Sequence, residues 1–183
     1  MEADDRRDRA HHVARRGDLN TGRSASSDRV AIREFKSGDE ACFRKLNEEW
    51  ITRYFRLEAK DEEALANPQS SILGPGGRIF FAHIDEQCVG CCALLRSAAD
   101  EFEVAKMAVT ADCQGSGIGR KLLHAVIEAA RSSGARRLYL ETNRVLAPAI
   151  RLYESIGFKP VPANRIVPSP YARSDVSMEM TLF

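Results

Sequence analysis

Apolar and polar residues alternate along much of the first half of the chain, whereas the second half also carries helical spacing. The first half should therefore form short strands and two helices separated by turns. The pattern predicts strands over 30–35, 78–84, 88–96 and 102–109, helices over 40–50 and 51–66, and turns over 74–77 and 85–87. The second helix should end before Pro68, because the residue preceding a proline avoids the helical conformation.

A long amphipathic helix is the clearest feature of the second half. Its apolar face recurs with a 3.6-residue period through Ile118, Leu122, Leu123, Val126, Ile127 and Ala130. Gly134 is a typical stop signal. The pattern then predicts a strand over 137–142, a short helix over about 149–156 that stops at Gly157, and a closing strand over 174–183. This order indicates a mixed α/β domain on a partly antiparallel sheet.

Composition and charge narrow the class of protein. The chain has 183 residues, of which 44% are hydrophobic and 29% charged, which suits one globular domain with its own core. The net charge of +1 provides no strong field to attract nucleic acid or an anionic membrane. No apolar run approaches the length of a membrane span. We therefore expect neither a nucleic-acid nor a membrane partner.

Residues 1–28 differ from the rest of the chain. They are rich in Arg, Asp, Gly and Ser and contain almost no large apolar side chain, so we expect a disordered tail before a folded domain over 29–183. The amino terminus lacks the apolar stretch of a secretion signal. The five cysteines show no framework spacing, which predicts free thiols in a reducing, cytoplasmic compartment.

A glycine-rich loop, Gln114 to Gly119, lies between a predicted strand and the long helix. Glycines let the backbone approach a ligand closely, and the first N–H groups of a helix attract an anion such as a diphosphate. Arg120 and Lys121 add positive charge. The spacing fits neither a Walker loop nor a dinucleotide-binding loop.

The loop and two further motifs resemble the GCN5-related N-acetyltransferase (GNAT) family. Gln114 to Gly119 fits the Gln/Arg-x-x-Gly-x-Gly/Ala signature of that family, and Met107-Ala108-Val109 is similar to the end of its fourth strand. Leu152 to Phe158 resembles its Tyr-x-x-x-Gly-Phe stretch. The resemblance covers about 29–183 and is strongest over 102–160.

The resemblance implies a mostly antiparallel central sheet, with splayed fourth and fifth strands and flanking helices. It also implies acetyl-coenzyme A as co-substrate, with no metal. The cofactor-binding residues that it implies are Met107, Ala108, Val109, Gln114, Gly115, Ser116, Gly117, Ile118, Gly119, Arg120 and Asn143. One position departs from the family, because Leu146 stands where members often carry a cofactor-binding Asn. Asn143, three residues earlier, either takes over part of that role or only ends a strand.

Acetyl transfer requires that the attacking amine be neutral. Deprotonating a lysine-like ammonium group at pH 7 costs about 4.6 kcal/mol. A general base therefore matters. Glu103 is the candidate base, because several family members carry a catalytic Glu at the same offset before the loop. Glu101 is the alternative, since the strand register can differ by two residues. A solvent-facing Glu on a strand is the non-catalytic interpretation.

The oxyanion and the thiolate need hydrogen-bond donors. The resemblance implies the backbone N–H of Val109 for the oxyanion and the phenol of Tyr153 as general acid. Tyr153 also lies on an apolar helix face, so a half-buried core role is the alternative. Cys91 and Cys92 are adjacent on a strand and should face opposite sides, which disfavours a cysteine nucleophile.

The acceptor is the least defined part of the prediction. Tyr54 in the first helical region and Arg173 near the carboxyl terminus are candidate substrate-binding residues. We expect direct transfer from acetyl-coenzyme A to a small amine or amino-acid-like metabolite. The alternatives are a protein lysine or amino terminus, or a non-catalytic acyl-coenzyme A sensor. The oligomeric state stays open, with a homodimer as one alternative.

Overall fold

A seven-stranded sheet flanked by helices organises residues 29–182, which a computed structural model describes. The predicted disordered tail over 1–28 lies outside the described residues. The strands are β1 Val30–Glu34, β2 Arg78–Ile84, β3 Gln87–Arg96, β4 Glu101–Val109, β5 Arg137–Thr142, β6 Lys159–Pro160 and β7 Val176–Thr181. The helices are α1 Glu40–Tyr54, α2 Ala59–Ala66, α3 Ile118–Ser132 and α4 Ala147–Ile156, with shorter helical turns at Gln69–Leu73, Ala111–Cys113 and Ala163–Arg165.

The strand order is β1-β2-β3-β4-β5-β7-β6, and β4–β5 is the parallel pair among otherwise antiparallel neighbours. That parallel pairing is short, because it joins only 101–103 to 137–139. Beyond Glu103 the two strands separate while β4 continues to Val109. The predicted mixed fold with a splayed fourth and fifth strand is therefore confirmed.

The two faces of the sheet pack against different helices. One face buries Phe80, Val89, Cys92, Leu94, Phe102, Leu138, Leu140 and Met178 in a cluster with the apolar side of α3. The other face buries Ile79, Phe81, Cys91, Ala93 and Ala108 in a cluster with α1 and α2. Cys91 and Cys92 thus face opposite sides, as predicted. Both faces must be covered because the central strands are apolar on each side.

The first helical region differs from the prediction. A single helix was expected over 51–66, but α1 continues through Tyr54 and the chain then becomes extended at Phe55. The second helix begins only at Ala59, because Glu58 and Asp61 form a capping box in which each side chain meets the backbone of the other. This box uses Glu rather than the usual Ser or Thr, so the pattern of apolar residues did not reveal it.

The cysteine prediction is partly wrong. Cys42 on α1 and Cys88 on β3 form a disulfide across 46 residues of sequence, whereas Cys91, Cys92 and Cys113 are free. The pairing depends on the packing of α1 beside β3, which sequence spacing does not show. Free thiols therefore no longer support the expected reducing compartment, and the cytoplasmic location stays a prediction. Within 29–182, no helix is long and apolar enough to cross a bilayer.

We expect Leu122→Ala to destabilise the fold. The Leu122 side chain is fully buried, and its Cδ1 packs against β3 so closely that a methyl group on Gly90 would lie 3.2 Å from it. Truncation should lower the free energy of unfolding by about 3 kcal/mol, through lost burial and the cavity left behind. Urea denaturation measures this change.

The control is His124→Ala, at an exposed position on the same helix. This variant should change the free energy of unfolding by less than about 0.5 kcal/mol. Equal effects of the two substitutions would contradict the described orientation of α3.

Candidate functional site

A cavity of about 520 Å³ lies where β4 and β5 separate. The amino-terminal end of α3 borders one side, α4 borders another, and the end of α1 lies at the mouth. The predicted site residues that line it are Tyr54, Glu103, Met107, Ala108, Val109, Gln114, Gly115, Gly117, Ile118, Gly119, Arg120, Asn143, Tyr153 and Arg173. Ser116 is the exception, because its hydroxyl donates to the Cys113 carbonyl at 2.5 Å and it does not line the cavity.

The glycine loop opens the first turn of α3 to this cavity. Gly117 is the residue before the helix and has a φ of +86°, a conformation that other residues rarely adopt. Gly119 is confined for a different reason, since a Cβ there would lie 2.8 Å from Met107 Cε. The first N–H groups of α3 have no partner within the helix and carry part of its positive dipole. Together these features form a binding site suited to a diphosphate.

Hydrogen bonds from two side chains connect the glycine loop and the start of α3 to neighbouring elements. Gln114 Nε2 donates to the Val109 carbonyl at 3.0 Å, which ties the loop to the end of β4. Arg120 donates to Ser155 Oγ at 2.7 Å, which ties the first turn of α3 to α4. Arg120 therefore places its positive charge beside the glycine loop.

The backbone of Val109 faces the gap between the strands. The N–H of Thr110 donates across β3–β4 to the Val89 carbonyl at 2.9 Å. Since consecutive residues of a strand direct their N–H groups to opposite edges, the Val109 N–H faces the edge that β5 has left. This arrangement can supply a donor to an oxyanion in the cavity.

Glu103 lies in an environment that disfavours its charged form. Burial and the nearby charge of Glu141 raise the pKa of Glu103 to about 7, although Lys106 and a hydrogen bond from Tyr139 act in the opposite direction. A carboxylate with such a pKa is well matched to proton transfer near neutral pH. The alternative base, Glu101, pairs with Arg137 at 3.2 Å and does not line the cavity.

Tyr153 presents a buried phenol at the same gap. Its hydroxyl lies 3.8 Å from Met107 Sδ, and its ring packs edge-on against Phe158. Burial raises the pKa of Tyr153, so the phenol keeps its proton and remains a hydrogen-bond donor. The ring of Tyr153 belongs to the core, as the alternative interpretation expected, and the side chain also lines the cavity, while its role as general acid stays a prediction.

Asn143 and Arg173 make contacts that the sequence did not predict. Asn143 donates to the backbone carbonyl of Arg173 at 2.5 Å and accepts from the N–H of Val145 at 2.9 Å. The Arg173 guanidinium binds Asp61 at 2.6 and 2.8 Å. Both residues line the cavity while holding the segment before β7 in place.

Three charged residues of the site were missed by sequence reasoning. Lys106 sits at a β-bulge with a φ of +50°, and its amine lies 2.6 Å from Asp61, a fully buried carboxylate. Glu141 lines the cavity from β5 and accepts a hydrogen bond from Ser169. The strand register could have revealed Glu141, because it lies two residues beyond Tyr139, which pairs with Glu103. In the described part of the chain, no group of three His, Cys, Asp or Glu side chains could hold a metal ion.

A parallel strand pair thus opens beside a helix that begins at a glycine loop, which is the arrangement that the resemblance to the GNAT family implied. A family model described as "Acetyltransferase (GNAT) family" matches residues 40–158, which is more than half of the chain. The chain therefore belongs to the GNAT acetyltransferase family, as its loop and tyrosine motifs predicted.

Similar proteins agree with this assignment. The Xenopus laevis protein named "Probable N-acetyltransferase camello" is 35% identical over 100 residues, 54% of this chain and 46% of that protein. The ribosomal protein bS18-alanine N-acetyltransferase of Escherichia coli K12 is 37% identical over 73 residues, 40% of this chain and 49% of that protein. The matches thus span about half the length of these relatives.

Solved structures show the same fold. The protein yncA from Salmonella typhimurium, solved with its cofactor acetyl-coenzyme A, superposes with a TM-score of 0.67 at 21% identity. The match covers 85% of this chain and 95% of that protein.

We expect Glu141→Gln to lower the pKa of Glu103. Removal of a like charge favours the ionised form of a neighbouring carboxyl. The titration midpoint of Glu103, followed by NMR of glutamate carboxyl carbons, should fall by roughly half a pH unit or more.

Glu101→Gln removes a carboxylate from the same strand but outside the cavity, and it should leave that midpoint nearly unchanged. A midpoint near the ordinary glutamate value in the unsubstituted chain would contradict the described environment of Glu103.

Proposed function

We propose that this chain is an N-acetyltransferase that moves the acetyl group of acetyl-coenzyme A directly to a primary amine, most simply that of a small metabolite. The main observation in support is that one cavity is lined by the glycine loop, the carboxylate of Glu103 and the phenol of Tyr153. Direct transfer requires that one space admit both the thioester and the amine, and the gap between β4 and β5 provides it.

The residues of the loop fit the diphosphate of this co-substrate. Side chains at Gly115 or Gly117 would project into open space, so the glycines keep the approach to the first turn of α3 clear. The N–H groups of that turn would bind the diphosphate, with Arg120 beside them. The gap between β4 and β5 would take the pantetheine arm. When bound, acetyl-coenzyme A supplies an acetyl group activated as a thioester.

Glu103 acts on the acceptor. An amine with a lysine-like pKa arrives as an ammonium ion, and its deprotonation at pH 7 costs about 4.6 kcal/mol. Glu103 with a pKa of about 7 is ionised often enough to accept that proton and retains more proton affinity than an ordinary carboxylate. The neutral nitrogen can then attack the carbonyl carbon of the thioester, and the carbonyl oxygen can accept a hydrogen bond from the backbone N–H of Val109.

Tyr153 acts on the departing sulfur. Its hydroxyl keeps its proton at neutral pH, so it can donate a hydrogen bond or the proton itself to a developing thiolate. The buried thiols of Cys91 and Cys92 are poor nucleophiles, since burial raises the pKa of Cys91 to about 12 and that of Cys92 well above its ordinary value. Neither of these two buried thiols is therefore suited to carry the acetyl group.

A protein amino terminus is the second candidate acceptor. It is favoured by the likeness to an N-acetyltransferase named for the alanine of ribosomal protein bS18. A panel containing small amines and short peptides separates the two candidates. Acetyl-coenzyme A binding without turnover on any panel member would favour a non-catalytic sensor instead.

We predict that Gly117→Ala weakens acetyl-coenzyme A binding. A Cβ at this left-handed position costs roughly 1–2 kcal/mol and should shift the helix start that faces the diphosphate. Steady-state kinetics should show the KM for acetyl-coenzyme A rising about tenfold with a smaller change in the amine KM.

Gly134→Ala is the matched control. Gly134 also has a positive φ and open surroundings, but it follows the far end of α3. The control should lower stability similarly while leaving the KM for acetyl-coenzyme A unchanged. If both variants raise this KM equally, the loop does not hold the diphosphate.

Glu103→Gln should lower kcat/KM for a basic amine by about 10²- to 10⁴-fold, because the general base is lost. In the unsubstituted enzyme, kcat/KM should fall about tenfold per pH unit below pH 7, since protonated Glu103 cannot accept a proton. In Glu103→Gln the break near pH 7 should be absent, because without a base only the neutral amine reacts, and its fraction falls about tenfold per pH unit throughout the range below the amine pKa. Thiol release followed from about pH 5 to about pH 9 measures both effects.

Tyr153→Phe should lower kcat about tenfold or more without removing the break near pH 7, because the base remains. Glu101→Gln is the control and should retain activity. Full activity of both Glu103→Gln and Tyr153→Phe would show that the assigned acid and base roles are wrong.

A further inference from the structure

A cluster of buried charged residues borders the cavity at Lys106 and Arg173. Asp61 on α2 has no exposed surface, and its carboxylate accepts hydrogen bonds from Lys106 Nζ at 2.6 Å and from both terminal nitrogens of Arg173, at 2.6 and 2.8 Å. Glu58 adds a second carboxylate, 3.1 Å from Arg173. Although burial alone would raise it, the hydrogen bonds from Arg173 and Lys106 hold the pKa of Asp61 below its ordinary value. Asp61 is therefore ionised at neutral pH.

The cluster cancels the positive charge of this part of the wall. Lys106 and Arg173 both line the cavity, yet each is paired with a carboxylate on the side away from solvent. Tyr171 fixes them further, because its ring lies 4.8 Å from the Lys106 amine and 4.5 Å from the Arg173 guanidinium carbon. The cavity's other cationic side chain, Arg120, lies at the glycine loop. A carboxylate on the acceptor would therefore find no unpaired cation here.

The cavity wall also carries two carboxyl groups that form no salt bridge with the described part of the chain, although the charge of Lys106 favours the ionised form of Glu103. Glu103 and Glu141 both line the cavity, and among residues 29–182 neither has a cationic side chain within 4.0 Å. Glu141 receives only a hydroxyl hydrogen bond, from Ser169. Once Glu103 serves as the base for the reacting amine, the side chain of Glu141 remains available beside it.

Aromatic side chains complete the cavity wall. Trp50 and Phe55 contact each other edge to face at the end of α1, and both line the cavity together with Tyr54 and Tyr171. Aromatic faces pack well against methylene groups and attract cations through the negative face of the ring. An aliphatic chain that ends in an ammonium group satisfies both properties.

We propose that the acceptor is an aliphatic diamine or polyamine, and that Asp61 is the positioning residue that sets this specificity, because together with Glu58 it balances the charges of Lys106 and Arg173. In this arrangement Glu103 takes the proton from the reacting ammonium, and Glu141 with the aromatic wall binds the second ammonium. Acceptors that carry a carboxylate are rejected. This inference rests on the proposed acetyltransferase function.

The first test compares three acceptors of equal chain length: 1,4-diaminobutane, butylamine and 4-aminobutanoate. All three contain four carbons and one reacting amine, and their far ends carry an ammonium, a methyl and a carboxylate group, respectively. Thiol release with acetyl-coenzyme A should give kcat/KM in that order, with about a hundredfold difference between the diamine and the amino acid. The corresponding five-carbon compounds, 1,5-diaminopentane, pentylamine and 5-aminopentanoate, should show the same order. They control for the possibility that a four-carbon chain does not match the length of the cavity.

The second test changes the charges. Asp61→Asn keeps the shape of the side chain and a capping acceptor but removes its charge, which leaves Lys106 without its carboxylate partner while Arg173 keeps Glu58. The ratio of kcat/KM for the diamine over the amino acid should therefore fall about tenfold. Glu141→Gln should reduce the preference for the diamine over butylamine by about the same factor, with the KM for acetyl-coenzyme A unchanged.

Glu62→Gln is the control, because Glu62 lies next to Asp61 on α2 but is exposed and pairs with Arg44 at 2.8 Å. It should leave both ratios unchanged. A purely structural role for Asp61 would lower all three activities together and leave the ratios intact, which would overturn its assigned role. If Asp61→Asn does not fold, as judged by thermal unfolding, the unsubstituted enzyme and Glu141→Gln decide the inference.

The outcomes separate this inference from the function on which it rests. Equal or higher kcat/KM for the amino acids in the unsubstituted enzyme overturns the specificity while leaving the acetyltransferase function in place. Release of thiol with none of the amines, despite binding of acetyl-coenzyme A, contradicts the function itself.

Discussion

The early end of hydrogen bonding between β4 and β5 is the constraint on which the site depends. After three residue pairs, β4 has no neighbouring strand on that edge, so its backbone donors face an open gap. The same separation lets Glu103, the end of β4 and the first turn of α3 border one cavity. A fully paired β5 would fill this space with backbone hydrogen bonds and leave no room for a ligand.

The position of the buried cluster around Asp61 explains why the fold includes it. Burial of three charged groups has a large desolvation cost, which close hydrogen bonds only partly offset. The cluster joins α2, the bulge in β4 and the segment before β7, so it fixes the wall opposite the glycine loop. Its charges are thereby balanced inside the protein and are not available to a ligand, which connects the stability of this region with the selection of the acceptor.

Local patterns in the sequence predicted most of the fold. The period of α3, the apolar run of β2 and the alternation of β4 and β5 place these elements within about two residues of their observed bounds, because their apolar side chains pack in the core. The glycine loop and Tyr153 were found through motif spacing. The Asp61 cluster, Glu141 and the Cys42–Cys88 disulfide were missed, since each joins residues far apart in sequence and depends on strand order. The break before α2 was missed because its cap uses Glu58.

A crystal structure of the chain with coenzyme A tests the central claim most directly. We predict that the diphosphate lies against the N–H groups of the first turn of α3, with the pantetheine arm between β4 and β5 and its sulfur near the hydroxyl of Tyr153. A diphosphate bound elsewhere, or an arm that does not enter the gap between these strands, would contradict the account.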